Sequence, residues 1–211
     1  MKDNFIIYNG CNKSLHTPPP PEILSSKSID SSKYIQLQQI QFIENNNIKT
    51  WDIANSHNSV AIIIYDYIKN GFIFVRQFRV SVFLRNPKHG YMYELCAGLC
   101  DKDNKNIEEI ALQELEEECG YRVSSERIQQ IAQFYNSVGM NGAIQYLFFT
   151  KVSQKDRISE GGGNKDENEN IDLIFVPENL IFEFLNDNNC PKSQSLAYSI
   201  LWYKQNALFN P

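Results

Sequence analysis

Four glutamates occupy five consecutive positions, with Glu114, Glu116, Glu117 and Glu118 broken only by Leu115. The run around them, Ile107 to Cys119, reads as a helix. Ala111, Leu112, Leu115 and Cys119 recur at the spacing of one buried face. At about 100° per residue, Glu114 and Glu118 stack at i,i+4, Glu117 flanks them at i+3, and Glu116 points elsewhere. Like charges so placed repel by roughly a few tenths of a kcal/mol per pair in water. Clustered carboxylate oxygens are the donors that a hard divalent cation such as Mg²⁺ prefers. Taken alone, an acidic helix run is more often a solvated face, because glutamate is a good helix former. Gly120 ends the helix at the C′ position.

Other residues suited to chemistry flank this helix. Arg76 and Arg79 stand three apart at the end of a strand pattern, where two guanidinium groups can form a fork for phosphate or carboxylate. Surface charge explains the pair equally well. The loop Tyr135 to Gly142 contains two glycines and two asparagines, which suits close backbone approach to a ligand. Lys155 to Asn170 is long and acidic, with Gly161-Gly162-Gly163 followed by Asp166-Glu167-Asn168-Glu169. It reads as a mobile segment, either a linker or a loop that closes on a site.

The elements that must position these residues follow from periodicity. Tyr34 to Ile43 and Ile48 to Ile53 form a hairpin signal around an asparagine-rich turn. Val60 to Tyr65 is a buried-strand run, and Phe72 to Val75 completes a second hairpin. Tyr91 to Cys96 predicts a strand that delivers Ala97-Gly98 to the loop before the acidic helix. Further strands are expected over 127–134, 143–150 and 171–176. A last helix is expected over 191–208, with Leu196, Ile200, Leu201 and Tyr203 facing the core. Residues 1–33 read as a flexible tail containing a polyproline II stretch, Thr17 to Pro21.

The 211 residues suit one domain with an arm, and 42% hydrophobic content is enough for a sizeable core. The net charge of −5 and pI near 5.3 disfavour nucleic acid and anionic lipid as partners. The longest apolar run, Val60 to Tyr65, is too short to span a membrane. No apolar signal segment stands in the first twenty residues, and five unpaired cysteines suit a reducing compartment, so a cytoplasmic location is expected. Cys96 and Cys100 lack the second pair a zinc site needs, and the three histidines are scattered.

Gly98 to Tyr121 resembles the Nudix box, G-x5-E-x7-R-E-U-x-E-E-x-G-U, where U is a bulky apolar residue. Glu114, Leu115, Glu117, Glu118, Gly120 and Tyr121 fall at the motif's E, U, E, E, G and U. Two positions depart. Gln113 stands where the motif has Arg, which removes a cation from the acidic cluster. The first half is one residue longer, so Lys105 occupies the place of the first Glu, which is missing or displaced to Glu108 or Glu109. Thr50-Trp51-Asp52, Val75 to Arg79, Glu94 to Leu99 and the glycine loop extend the likeness toward the UDP-sugar pyrophosphatase branch, close to the ADP-ribose pyrophosphatases.

The resemblance implies an α+β Nudix fold, an α/β/α sandwich with a mixed sheet. It divides the chain into tail 1–33, hairpin arm 34–58 and catalytic domain 59–211. It implies Mg²⁺, with Mn²⁺ as the alternative ion, held by Glu114, Glu117, Glu118 and the Ala97 carbonyl. It places the general base in the acidic loop, at Glu167 or, as second choice, Glu169. Arg76, Arg79, Glu94, Gly139 and Trp51 are the expected substrate contacts. The expected reaction is hydrolysis of a UDP-sugar to UMP and sugar 1-phosphate by a homodimer whose N-terminal strands cross between subunits. ADP-ribose or another nucleotide sugar is the alternative substrate, and a nucleotide-binding module without catalysis is the third reading.

Overall fold

The computed structural model describes residues 4–11, 13, 15–102, 104–164 and 169–207. Ten strands and four α-helices are formed by these residues. The strands are β1 (Ile6–Ile7), β2 (Gln36–Glu44), β3 (Asn47–Asn55), β4 (Ser59–Asp66), β5 (Gly71–Phe78), β6 (Tyr91–Glu94), β7 (Cys96–Leu99), β8 (Ile128–Tyr135), β9 (Ile144–Val152) and β10 (Asp172–Pro177). The helices are α1 (Val80–Arg85), α2 (Ile107–Cys119), α3 (Ile181–Asn186) and α4 (Gln194–Ala207).

The main sheet is mixed and runs β1-β10-β5-β4-β9-β8, with β6 beside β5 and β7 beside β4. β4 is parallel to β9 and antiparallel to β5 and β7. The run Val60 to Tyr65 is buried on both faces because helices cover both. Val60, Ile62 and Ile64 pack with Ala111 and Leu115 of α2. Ala61, Ile63 and Tyr65 pack with Phe184 of α3 and Leu196 and Ile200 of α4. The expected α/β/α sandwich with a mixed sheet is therefore what forms.

Three expectations need correction. Residues 6–8, placed in the N-terminal tail, pack on the body instead, because β1 adds a parallel edge strand to β10 and Tyr8 is fully buried against Phe184. The short apolar run Phe5 to Tyr8, bounded by Asn4 and Asn9, has no periodicity that separates a strand from a tail. Ala97 and Gly98 do not lie in a loop but within β7, paired with Ala61 and Val60 of β4. Leu201 is half exposed, because Leu196, Ile200 and Tyr203 already fill the buried face of α4.

The hairpin β2–β3 forms a separate two-stranded sheet with nine register pairs, from Gln36 opposite Asn55 to Glu44 opposite Asn47. Asn45 and Asn46 make its tight turn with φ of 51° and 60°, the left-handed values a twisted two-residue hairpin loop needs. All nine residues of β2 are exposed.

Candidate active site

Helix α2 is fixed at both ends by its own sequence. The Asn106 side chain accepts from the backbone N–H groups of Glu108 and Glu109, and the Glu109 carboxylate accepts from the Asn106 N–H. This reciprocal cap uses Glu109 to satisfy the first N–H of the helix. At the other end Gly120 adopts φ 74° and its N–H reaches the Glu116 carbonyl. The buried side of the helix carries Ile110, Ala111, Leu115 and Cys119, and it also carries Glu118.

Glu118 is the unusual member of the set. It is 2% exposed, and its Oε2 accepts from the Ala97 N–H at 2.9 Å. Burial pushes its carboxyl up to about 8, and Glu114 and Glu169 add repulsion that the Ala97 hydrogen bond only partly offsets. Glu114 lies against Gly98: a Cβ there would fall 2.2 Å from the Glu114 Cδ, so the close approach requires glycine. Glu117 accepts from Gln113 Nε2 at 2.7 Å. Glu116 faces away and is clamped by Arg122 through two hydrogen bonds of 2.8 and 3.0 Å.

These carboxylates open onto a cleft of about 410 Å³ between α2 and the ends of β4, β5, β7 and β9. Glu94, Asp101, Glu114, Glu117, Glu118 and Glu169 supply six carboxylates to its lining, against the two cations Arg79 and Lys102. Arg79 donates Nε and Nη2 to the two oxygens of Glu94 at 3.0 and 2.7 Å. That pairing holds the guanidinium in place and raises its pKa, with Glu118 and Glu169 adding to the effect.

Several expected site residues stand here. Glu114, Glu117, Glu118, Ala97, Arg79, Glu94 and Glu169 all line the one cleft. Glu167 lies outside the described residues. Arg76 is a correction: it is 1% exposed and lies off the cleft. Side chains alternate along β5, so Arg76 shares the face of Phe72 and Phe74, while Gln77 faces the cleft. Arg76 Nε and Nη2 bind Asp172 Oδ2 at 3.0 and 2.6 Å, and Nη1 binds the His16 carbonyl at 2.8 Å. It ties the N-terminal segment and β10 to β5.

Trp51 and Gly139 meet each other instead of the cleft lining, with Trp51 Nε1 donating to the Gly139 carbonyl at 2.8 Å. Ser59, Gln77, Gln145, Asp101 and Lys102 line the cleft and were not foreseen. Gln77 could have been found from strand alternation beside Arg76. Gln145 carries no local signal, because it reaches the site through the parallel pairing of β4 and β9, which sets it opposite Ser59.

The glycine loop is also placed differently from expectation. Gly162 and Gly163 donate their N–H groups to the carbonyls of Glu118 and Glu117, at 2.8 and 3.2 Å. They cap the last turn of α2, whose carbonyls would otherwise lack partners. At Gly161 a Cβ would lie 2.4 Å from the Glu118 carbonyl oxygen. The loop is thus docked at this point, and it returns through Glu169, whose Oε2 accepts from the Asn164 N–H at 2.9 Å.

The NUDIX domain profile matches residues 55–194, two-thirds of the chain. The chain belongs to the Nudix family. The Nudix box is the stretch already described, Gly98 to Tyr121, and the protein is a Nudix hydrolase. Similar curated proteins include uridine diphosphate glucose pyrophosphatase NUDT14 of Bos taurus, 28% identical over 82% of this chain and 89% of that protein. The Mus musculus protein of the same name is 26% identical with the same coverage. GDP-mannose pyrophosphatase of Cronobacter sakazakii is 30% identical over 60% of this chain and 63% of its own length.

Nudix hydrolases generally work with a divalent metal. Among the described residues no three His, Cys, Asp or Glu side chains already converge tightly enough to enclose an ion. The donor chemistry nevertheless fits one. Glu114, Glu117, Glu118 and Glu169 offer only oxygen, and Glu118 is a carboxyl that its surroundings leave short of positive charge. Among the described residues no helix is long and apolar enough to cross a membrane.

Proposed function

We propose that this Nudix hydrolase cleaves the diphosphate bond of UDP-sugars of the UDP-glucose type, giving UMP and sugar 1-phosphate, with Mg²⁺, or alternatively Mn²⁺, as its cofactor. The observation that carries this reading is the single cleft in which three box glutamates, Glu169 and the Arg79–Glu94 pair face one another. The UDP-glucose pyrophosphatases named above align over 89% of their length, against 63% for the GDP-mannose enzyme, which favours the uridine substrate.

Glu114, Glu117, Glu118 and the Ala97 carbonyl would hold the metal, with Glu169 beside them. A bound divalent cation supplies charge neutralisation at the diphosphate and makes water more acidic. Arg79, held by Glu94, and Lys102 provide the cations of this cleft that face the remaining phosphate oxygens. Glu169 takes the proton from the attacking water as a P–O bond to the bridging oxygen breaks. Among the described residues it is the carboxylate of the expected base loop that lines the cleft, and its Oε1 makes no hydrogen bond there; Glu167, the first expected base, lies outside them. Ser59, Gln77 and Gln145 offer neutral hydrogen-bonding groups beside these charges.

We assign the hairpin to a second copy of the chain, as expected for a homodimer. Its apolar face sets Ile40 opposite Trp51 and also carries Phe42, and all three are exposed. A two-stranded sheet with an uncovered apolar face is marginal alone in water.

The test is a substrate panel at fixed Mg²⁺ comparing kcat/KM for UDP-glucose, ADP-ribose and GDP-mannose. UDP-glucose should be the best substrate, and faster turnover of either competitor overturns the preference. Binding of UDP-glucose with no release of phosphate ester under any divalent ion would overturn the catalytic reading. Glu169→Gln should lower kcat about 10²-fold with little change in KM. An unchanged kcat would move the base elsewhere.

A further inference from the structure

We infer that Lys105 is a positioning residue for Glu117, acting through the side-chain amide of Gln113. Lys105 Nζ donates to Gln113 Oε1 at 2.5 Å, and Gln113 Nε2 donates to Glu117 Oε1 at 2.7 Å. Gln113 and Glu117 stand at i,i+4 on α2, so the second bond spans one helical turn. Lys105 comes from the loop just before the helix. That loop is pinned by its own N–H to the Lys102 carbonyl and by the Asn106 cap that follows.

The direction of this relay follows from donor and acceptor chemistry. A lysine ammonium can only donate, and an ionised carboxylate can only accept. A glutamine amide can present either end. With the ammonium on one side and the carboxylate on the other, only one orientation satisfies both: oxygen toward Lys105 and NH₂ toward Glu117. Each bond also polarises the next, so the positive charge on Lys105 strengthens the donor that Glu117 receives.

Gln113 is the only hydrogen-bond partner of the Glu117 carboxylate among the described residues. Removing Lys105 frees the amide to turn its oxygen toward that carboxylate, which repels it. Both relay members stand where this chain departs from the Nudix box. The cation absent from position 113 is thus supplied from position 105, with the amide as intermediary.

The inference rests on Glu117 as a metal ligand, so its test has one arm that needs no metal. In metal-free protein, the Gln113 side-chain NH₂ resonances, assigned by their loss in Gln113→Leu, should shift upfield in Lys105→Met and stay near their wild-type position in Lys105→Arg. In calorimetric titrations of substrate-free protein with Mn²⁺, Lys105→Met should weaken binding about tenfold. Lys105→Arg should restore it, and the thermal midpoint should hold, because Lys105 is exposed. In a Gln113→Leu background, Lys105→Met should have no further effect.

Unshifted amide resonances in Lys105→Met overturn the relay whatever the metal does. A Mn²⁺ deficit that persists in the Gln113→Leu background overturns it in favour of a direct field of Lys105 on the cleft. Failure of wild-type protein to bind Mn²⁺ would refute the metal reading of the cleft, and the amide resonances would then decide the relay alone.

Discussion

Glu118 sits on the buried face of α2 where an apolar residue would otherwise pack. Its carboxyl, pushed up to about 8 by burial first and by Glu114 and Glu169 after, contributes to stability in a definite direction. A carboxyl whose folded pKa lies above its unfolded value near 4.5 favours folding while protonated. That contribution is complete below the unfolded value and is lost as pH rises through the folded one. In the presence of chelator, the urea midpoint should therefore fall between pH 5 and pH 9. Glu118→Gln, which cannot ionise, should flatten this fall and exceed wild type at pH 9. Parallel pH profiles for the two proteins would refute the assignment. Spacing in the sequence identified Glu118 as one of the stacked glutamates. It could not distinguish Glu118 from Glu114 and Glu117, because the difference is how deeply β7 and the Ala97 N–H enclose it.

Among the elements, α2 and the glycine loop act as one unit. The amides of Gly162 and Gly163 complete the helix's last turn, and Gly161 touches its backbone with φ +68°. Gly161→Ala would place a Cβ 2.4 Å from the Glu118 carbonyl oxygen and force a left-handed alanine. It should cost about 1–3 kcal/mol in urea unfolding and lower activity by shifting both Glu118 and Glu169. Gly162→Ala is the control, since its added Cβ would meet only the Ile171 carbonyl oxygen, at 3.7 Å. Its backbone strain is the greater of the two, with φ +105°, but the clash is absent. A loss in Gly162→Ala as large as or larger than that in Gly161→Ala would show that backbone strain, not the contact with α2, sets the cost. Three glycines in an acidic stretch read naturally as a flexible loop. That they dock on a helix end depends on carbonyls supplied by a segment some 40 residues earlier in the chain.

At the scale of the whole molecule, the hairpin is the part whose apolar face the body leaves exposed. Its contacts with the body lie near one end, where Trp51 meets Gly139, Ala54 N–H meets the Met140 carbonyl and Asn141 meets Ser56. If a second copy covers it, sedimentation velocity should show a dimer for the full chain. Replacing Ile40 and Phe42 by lysine should shift the chain toward monomer, with thermal stability lowered. A monomeric wild-type protein at micromolar concentration would refute the assignment. The sequence marks this hairpin clearly, since β-alternation and an asparagine turn are local properties. The body's edge strand β1 was missed for the opposite reason: two residues become a strand only because β10 is there to pair with them.

The sequence by itself determined the helix bounds, the Gly120 cap, the three stacked glutamates and the Nudix box, because each depends on neighbours nearby in the chain. It also exposed the two departures, Lys105 and Gln113, by counting. Only the tertiary structure decided what those residues do. Pairing of β10 with β5 set Asp172 opposite Arg76, and the packing of α2 put the cleft on the Gln77 face of β5. Parallel pairing of β4 and β9 brought Gln145 beside Ser59. The fold also brought Lys105 back over α2 to meet Gln113, eight residues on. Local spacing sets which face of an element a side chain takes, but which other element lies opposite that face is a property of the packed chain alone.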